Sequence, residues 1–92
     1  MEDPVTRTLT IVNEKGLHAR ASARLAELVE GFDAEATVSK DGLSVTGDSI
    51  MGLLMLAASR GTSITVATKG PEATALAEAI TALVSDGFGE EL

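Results

Sequence analysis

The stretch EKGLHARASARLAELVEGF, residues 14–32, contains a loop followed by the start of a helical pattern. From Ala19 onward, apolar residues recur at the i, i+3, i+4 and i+7 spacing of a helix with one buried face. These residues are Leu25, Leu28, Val29 and Phe32. His18, the only histidine in the chain, stands where the loop ends. We therefore expect His18 at or near the N-cap of this helix.

The segments on both sides of this helix predict four strands and two more helices. Alternating and β-branched patterns indicate strands over residues 6–12, 35–39, 43–46 and 61–68. Asp41 and Gly42 form a strong hairpin signal between the second and third strands. The resulting order, βαββαβα, favours an α+β fold in which helices cover one face of a mostly antiparallel sheet.

The two later helices are predicted from capping signals and apolar stripes. One spans residues 50–58 after a Gly-Asp-Ser turn, and we assign Leu53, Leu56 and Ala57 within it to the core. The other begins at residues 70–72, where a proline suits the first turn. Its predicted buried stripe consists of Leu76, Ile80, Leu83 and Val84.

Length and composition exclude several classes of protein. The 92 residues predict one domain over residues 1–92, with frayed ends at about 1–4 and 87–92. No apolar run approaches the roughly 18 residues that span a bilayer, and the acidic start does not resemble a signal peptide. The chain has no cysteine. We therefore expect a cytoplasmic monomer without membrane insertion. The net charge of −7 argues against a nucleic-acid partner, because phosphate backbones attract positively charged surfaces.

Positive charge is concentrated beside the histidine. Lys15, Arg20 and Arg24 are three of the seven basic residues, and no acidic residue falls between positions 15 and 26. Chance clustering is one explanation. The other is a small site for an anionic group on an otherwise acidic protein.

The position of His18 suggests covalent chemistry on its ring. The first-turn amides of a helix lack internal acceptors and, together with the helix dipole, favour an anion. We expect the amides of Ala19, Arg20 and Ala21 to form this cradle around a mostly neutral imidazole, which is a nucleophile. The pattern therefore indicates a phosphohistidine. The alternative is a histidine with only a structural role, which is common for a lone histidine.

Other chemistries fit these residues less well. One histidine without cysteines or clustered carboxylates makes a poor metal site. Ser22 lies one helical turn from His18, but no nearby acidic residue would orient a Ser-His pair. The chain also lacks a glycine-rich nucleotide loop. We therefore expect neither a metal nor another cofactor.

Two separated motifs, GLHARASA at residues 16–23 and SIMGLLMLAASRGTSITV at residues 49–66, resemble the HPr family. Its members are the histidine-containing phosphocarriers of the bacterial phosphoenolpyruvate-dependent phosphotransferase system. The resemblance covers about residues 5–84. It implies an open-faced β-sandwich with strand order 1-4-2-3 and three helices on one face. It also implies a covalent carrier, rather than a conventional turnover enzyme, that accepts a phosphoryl group from phosphorylated enzyme I and passes it to downstream acceptor domains.

The resemblance also implies roles for individual residues. His18 matches the family's active histidine, modified on Nδ1, and Arg20 matches its active-site arginine. Ala21 departs from the pattern, because a proline usually follows that arginine. Ser49 matches a regulatory serine that HPr kinase/phosphorylase modifies in some lineages. An N-cap role alone would also explain Ser49.

A docking surface is expected beside this site. Ile50, Met51 and Leu54 open the second helix, and exposed apolar side chains near a reactive residue mark a partner surface. Leu17 and Arg24 are assigned to the same surface. An ordinary place in the core remains the alternative for each apolar residue.

Two other functions are compatible with the sequence. One is the nitrogen-related branch of the family, in which the relay regulates metabolism and moves no sugar. The other is a non-catalytic interaction module that binds partners without carrying phosphate.

Overall fold

The structure is a computed structural model that describes residues 3–90. Its elements are β1 (Val5–Thr10), α1 (Ala19–Glu30), β2 (Glu35–Lys40), β3 (Leu43–Thr46), α2 (Ile50–Met55), β4 (Ser63–Lys69), α3 (Ala73–Ser85) and a C-terminal turn (Gly87–Gly89). The strands form one antiparallel sheet in the order β1-β4-β2-β3. The predicted α+β class and the 1-4-2-3 strand order are confirmed. Within residues 3–90, no helix combines the length and the apolar content needed to cross a membrane.

The sheet has one covered and one open face. In the central strand β4, Ile64 lies opposite Leu9 of β1, and Val66 lies opposite Val38 of β2. All four side chains are buried in a core to which the three helices also contribute. Alternate strand positions carry mainly threonine and serine and are exposed, because successive side chains of a strand point to opposite faces.

The loop before α1 closely approaches the chain that follows α2. The amide of Leu17 donates a hydrogen bond to the carbonyl of Ala58 at 2.8 Å. Gly16 has a φ of +64°, and a Cβ added there would lie 2.4 Å from the same carbonyl oxygen. Only glycine suits both this conformation and this contact. The loop that carries His18 is therefore held against the chain that follows α2.

Helix α2 is shorter than the sequence predicts. It ends at Met55, before the predicted end at residue 58, and Ala57 adopts a left-handed φ of 51°. A left-handed residue cannot continue a right-handed helix. Leu53 and Leu56 are buried as predicted, but Ala57 is exposed, so its assignment to the core is wrong.

Helix α3 begins at Ala73, after the proline, rather than at residues 70–72. Glu72 occupies the N-cap without capping the helix through its side chain. Its Oε1 instead accepts a hydrogen bond from the amide of Asp33 at 2.7 Å. The predicted stripe is buried at Leu76, Ile80 and Val84, whereas Leu83 is half-buried.

The chain after α3 folds back onto the body of the protein. Phe88, in the middle of the C-terminal turn, has no exposed surface and belongs to the hydrophobic core. The sequence pattern predicts a frayed tail over residues 87–92, whereas residues 87–90 of the structure form this turn and its continuation. Residues 91 and 92, like residues 1 and 2, lie outside the described part of the chain.

Candidate functional site

His18 is the N-cap residue of α1, as the helical pattern predicts. Its backbone is extended, with φ −75° and ψ −177°, and its Nδ1 accepts a hydrogen bond from the amide of Arg20 at 3.3 Å. About a quarter of the side chain (26%) is exposed. One nitrogen of the ring therefore faces the first turn of α1, while part of the ring remains open to solvent.

The other first-turn amides make no hydrogen bond within the described residues. Neither the amide of Ala19 nor that of Ala21 has a hydrogen-bond acceptor within residues 3–90. Ala19 is exposed, whereas Ala21 has no exposed surface in the free protein. The structure thus brings together the three amides that the sequence assigned to the cradle.

A shallow depression of about 280 Å³ lies over the ring. Three cationic side chains and two carboxylates border it, so the negative charge of the whole chain is locally reversed. The lining residues are Glu14, Lys15, His18, Arg20, Arg24, Gly89 and Glu90. A small, highly charged anion matches this size and charge better than an apolar ligand does.

Glu90 is the site residue that the sequence did not indicate. Its Oε2 contacts His18 Nε2, and its Oε1 accepts a hydrogen bond from Asn13 Nδ2 at 3.0 Å. These hydrogen bonds, first from Asn13 and then from His18, hold the pKa of Glu90 below its ordinary value. The positive charge of Lys15 adds to this shift, while partial burial opposes it. Glu90 is therefore ionised at neutral pH.

Arg24 fixes the C-terminal turn. Its Nη1 donates a hydrogen bond to the backbone carbonyl of Phe88. A Cβ added at Gly89 would lie 2.7 Å from the same guanidinium nitrogen. The glycine therefore allows the close approach of Arg24, which the sequence had assigned to partner docking.

The predicted docking residues differ in exposure. Ile50, Met51 and Leu54 are exposed on α2, together with Met55, which the sequence prediction omitted. We call these four residues the α2 patch. Leu54 and His18 line one shallow depression of about 300 Å³, so the α2 patch adjoins the histidine.

Leu17 is mostly buried, although it contributes to the lining of the same depression as His18 and Leu54. Only 4% of the residue is exposed, because its side chain packs into the core beneath the loop. Its role in docking stays a prediction, with little exposed area to support it.

Ser49 is the N-cap residue of α2. Its Oγ accepts a hydrogen bond from the amide of Gly52 at 3.0 Å. The side chain is half-buried at the end of the helix that carries the α2 patch. The structure thus gives Ser49 a capping role and places it directly before Ile50 and Met51.

Two alternative chemistries lack the necessary contacts. The hydroxyl of Ser22 is buried and donates to the carbonyl of Leu17 at 3.1 Å, so it is engaged away from the histidine ring. No group of three or more potential metal ligands is found among residues 3–90.

Comparisons with known proteins agree with this fold. A family model described as the PTS HPr component phosphorylation site matches residues 5–86. The chain is 44% identical to the phosphocarrier protein HPr of Cupriavidus necator over 91% of this chain and 94% of that protein. It is 45% identical to the phosphocarrier protein NPr of Shewanella violacea, over 91% and 92% of the two chains. The crystal structure of HPr-C-His from Thermoanaerobacter tengcongensis superposes with a TM-score of 0.91 at 33% identity, covering 96% of this chain and 99% of that one. Since the family model spans nearly the whole described chain, the protein belongs to the HPr family of phosphocarriers of the phosphotransferase system.

Proposed function

We propose that His18 carries the phosphoryl group, which it receives from phosphorylated enzyme I and passes to downstream acceptor domains. The observation that carries this proposal is the placement of His18 Nδ1 at the first turn of α1, facing the amide of Arg20 at 3.3 Å. That nitrogen is a nucleophile directed at a preformed anion site.

The phosphoryl group is transferred in one displacement. The lone pair of His18 Nδ1 forms the N–P bond while the bond from phosphorus to the donor's leaving atom breaks, and that electron pair remains with the donor. The Arg20 amide, which hydrogen-bonds Nδ1 in the free protein, then donates to a phosphoryl oxygen. The amides of Ala19 and Ala21, which have no acceptor within residues 3–90, provide two further donors.

Arg20 contributes charge as well as its amide. Its side chain is exposed at the rim of the depression over His18, where it reaches a bound phosphoryl group without being buried by it. A guanidinium pairs well with phosphate oxygens. We expect the Arg20→Ala variant to accept the phosphoryl group but to transfer it more slowly.

Partners dock on the α2 patch. Met51 and Met55 are its most exposed members, at 71% and 65%. Methionine side chains adapt to surfaces of different shape, which suits a carrier that meets a donor and several acceptors in turn. The depression shared by Leu54 and His18 supports contact with the patch and the histidine by the same partner.

Ser49 is a candidate for regulation by phosphorylation, where an HPr kinase/phosphorylase is present. A phosphate there would stand at a helix N-terminus, which tolerates negative charge. It would also precede the exposed Ile50 and Met51, where burying its charge beneath a partner is costly. The modification would therefore weaken docking without unfolding the protein.

A second candidate is the nitrogen-related relay, in which phosphoryl transfer regulates metabolism without moving sugar. The relatives named NPr favour it, since the one from Shewanella violacea is as similar as the relatives named HPr. Both candidates use the same chemistry on His18. They are distinguished by which purified acceptor domain removes the phosphoryl group from the protein.

The test combines the protein with phosphoenolpyruvate and enzyme I and measures its intact mass. We expect one added phosphoryl group that is labile in acid and maps to His18. Equal phosphorylation of the wild type and of His18→Ala would refute the proposal. A non-catalytic interaction module would instead keep full partner binding and signalling in His18→Ala.

A further inference from the structure

Glu90 reaches His18 through a buried support. The same Nδ2 group of Asn13 that binds Glu90 also donates to the carbonyl of Gly16 at 2.8 Å. Asn13 is completely buried, and its Oδ1 has no hydrogen-bond partner among the described residues. A buried unpaired oxygen is unfavourable. The Asn13 side chain is therefore oriented so that its Nδ2 donates to the Gly16 carbonyl and to Glu90, even though its Oδ1 is left unpaired.

The backbone that presents Glu90 is also unusual. Gly87, Phe88 and Gly89 have successive positive φ angles of 65°, 58° and 75°. This conformation is uncommon for an aromatic residue, and the burial of Phe88 and the hydrogen bond from Arg24 hold it in place. Strained residues that their surroundings enforce in this way often have functional roles.

The two ring nitrogens of His18 have partners of opposite kinds. The N–H of Arg20 points at Nδ1, so Nδ1 must offer a lone pair. The ionised carboxylate of Glu90 can only accept, so Nε2 must carry the proton. Both contacts select the same tautomer, with the lone pair on the nitrogen that faces the first turn of α1.

We propose that Glu90 is a positioning residue that holds His18 in its Nε2–H form and balances the positive charge that the ring gains when Nδ1 is phosphorylated. This inference rests on the proposed function of His18. As Nδ1 forms its bond to phosphorus, the electron pair of the breaking bond goes to the donor and Nε2 keeps its proton. No base has to remove a proton from the ring, and the new positive charge faces the Glu90 carboxylate.

A carboxylate on the second nitrogen of a reactive imidazole has a known physical effect. It fixes the tautomer and orientation of the ring and stabilises the imidazolium that forms during reaction. Asn13 holds one oxygen of Glu90 and leaves the other for His18. The lowered pKa of Glu90 keeps this carboxylate charged at neutral pH.

The first experiment needs no phosphoryl donor. Nitrogen-15 NMR of the His18 ring in the wild type should show a protonated Nε2, an unprotonated Nδ1 and a slowly exchanging Nε2 proton. Glu90→Ala should lose that slow exchange, and Glu90→Gln, whose amide can donate as well as accept, should populate the other tautomer. Glu78→Gln removes an equal charge at an exposed position of α3 and should keep the wild-type spectrum.

The second experiment measures phosphoryl acceptance from phosphorylated enzyme I. Both Glu90 variants should accept about tenfold more slowly, the size expected for one hydrogen bond to a charged group, and Glu78→Gln should match the wild type. A wild-type ring protonated on Nδ1, or wild-type rates in both Glu90 variants, would overturn the role of Glu90. Failure of the wild type to become phosphorylated on His18 would overturn the proposed function instead, while the NMR measurement would still decide whether Glu90 sets the tautomer.

Discussion

Replacing Phe88 with alanine tests whether the C-terminal turn is part of the folded core. Phe88 is completely buried against residues from the helices and strands, so truncation removes its whole ring from the core. A Phe→Ala change in a core costs about 3–5 kcal/mol. Alanine is also disfavoured at the left-handed φ of this position, so the substitution gains nothing by relief of backbone strain.

Phe88 lies in the turn after α3, outside the sheet and the three helices, and this limits the loss of unfolding free energy. The turn can detach while the rest of the domain stays folded, and the loss then equals the free energy with which the turn docks. That free energy includes the contacts of Arg24 and Glu90 as well as the buried ring. We therefore expect the Phe88→Ala variant to lose about 3 kcal/mol of unfolding free energy, the lower end of the range for such changes. The total unfolding free energy of a domain of this kind is near 5–15 kcal/mol.

The assay is urea and thermal unfolding followed by far-ultraviolet circular dichroism, since the chain has no tryptophan or tyrosine. A loss of this size should lower the Tm by roughly 12–24 °C in a domain below 100 residues. The control is Phe32→Ala, which truncates the second aromatic residue of the chain. Because Phe32 is only half-buried, this variant should lose less unfolding free energy. If Phe88→Ala stays within about 1 kcal/mol of the wild type, the turn contributes little and the argument from burial is refuted.

Three further predictions concern the site. Ser49→Asp should keep the N-cap and fold normally but accept phosphoryl poorly from enzyme I, and an unchanged transfer rate would contradict the regulatory argument. Ala21→Pro removes an amide that has no acceptor within residues 3–90 and that we propose as a donor to the phosphoryl group. Phosphorylated His18 should therefore hydrolyse faster in that variant. An equal or longer lifetime would show that the rigidity of the backbone at this position matters more than the lost donor. Folding lowers the pKa of Glu90. The ionised carboxylate therefore stabilises the folded protein fully above its unfolded-state pKa of about 4.3, and this stabilisation disappears as the pH falls through the lowered pKa of the folded state. The difference in unfolding free energy between wild type and Glu90→Gln should therefore shrink in acid, and a difference independent of pH would count against this contact. The charged or titratable groups that line the same depression as Glu90 are Glu14, Lys15, His18, Arg20 and Arg24.

The parts of the site that depend on neighbouring residues in the chain could be predicted. A loop followed by an apolar 3.6-residue period is enough to place His18 at the N-cap of α1, and Ser49 is placed at the N-cap of α2 in the same way. Helix caps are local features, because the capping side chain binds an amide only two or three residues away.

The contacts that were missed depend on the path of the chain. Glu90 is 72 residues from His18, in a glycine-rich acidic tail whose pattern resembles a frayed end. Only the burial of Phe88 and the left-handed turn around it bring this carboxylate to the ring, and no periodic pattern encodes them. The exposure of Ala57 was missed for a similar reason, since its left-handed conformation is not typical of alanine.

The charges around His18 act in opposite directions on a phosphoryl carrier. Lys15, Arg20 and Arg24 attract the negative charge of the phosphoryl group, and the helix end adds about 0.3–1 kcal/mol. Glu90 instead stabilises the positive charge on the ring and repels the phosphoryl oxygens beyond it. A cluster of cations alone would bind the group more tightly in the ground state, which does not speed its transfer. The carboxylate next to the ring therefore suits a protein that must release its phosphoryl group as readily as it accepts it.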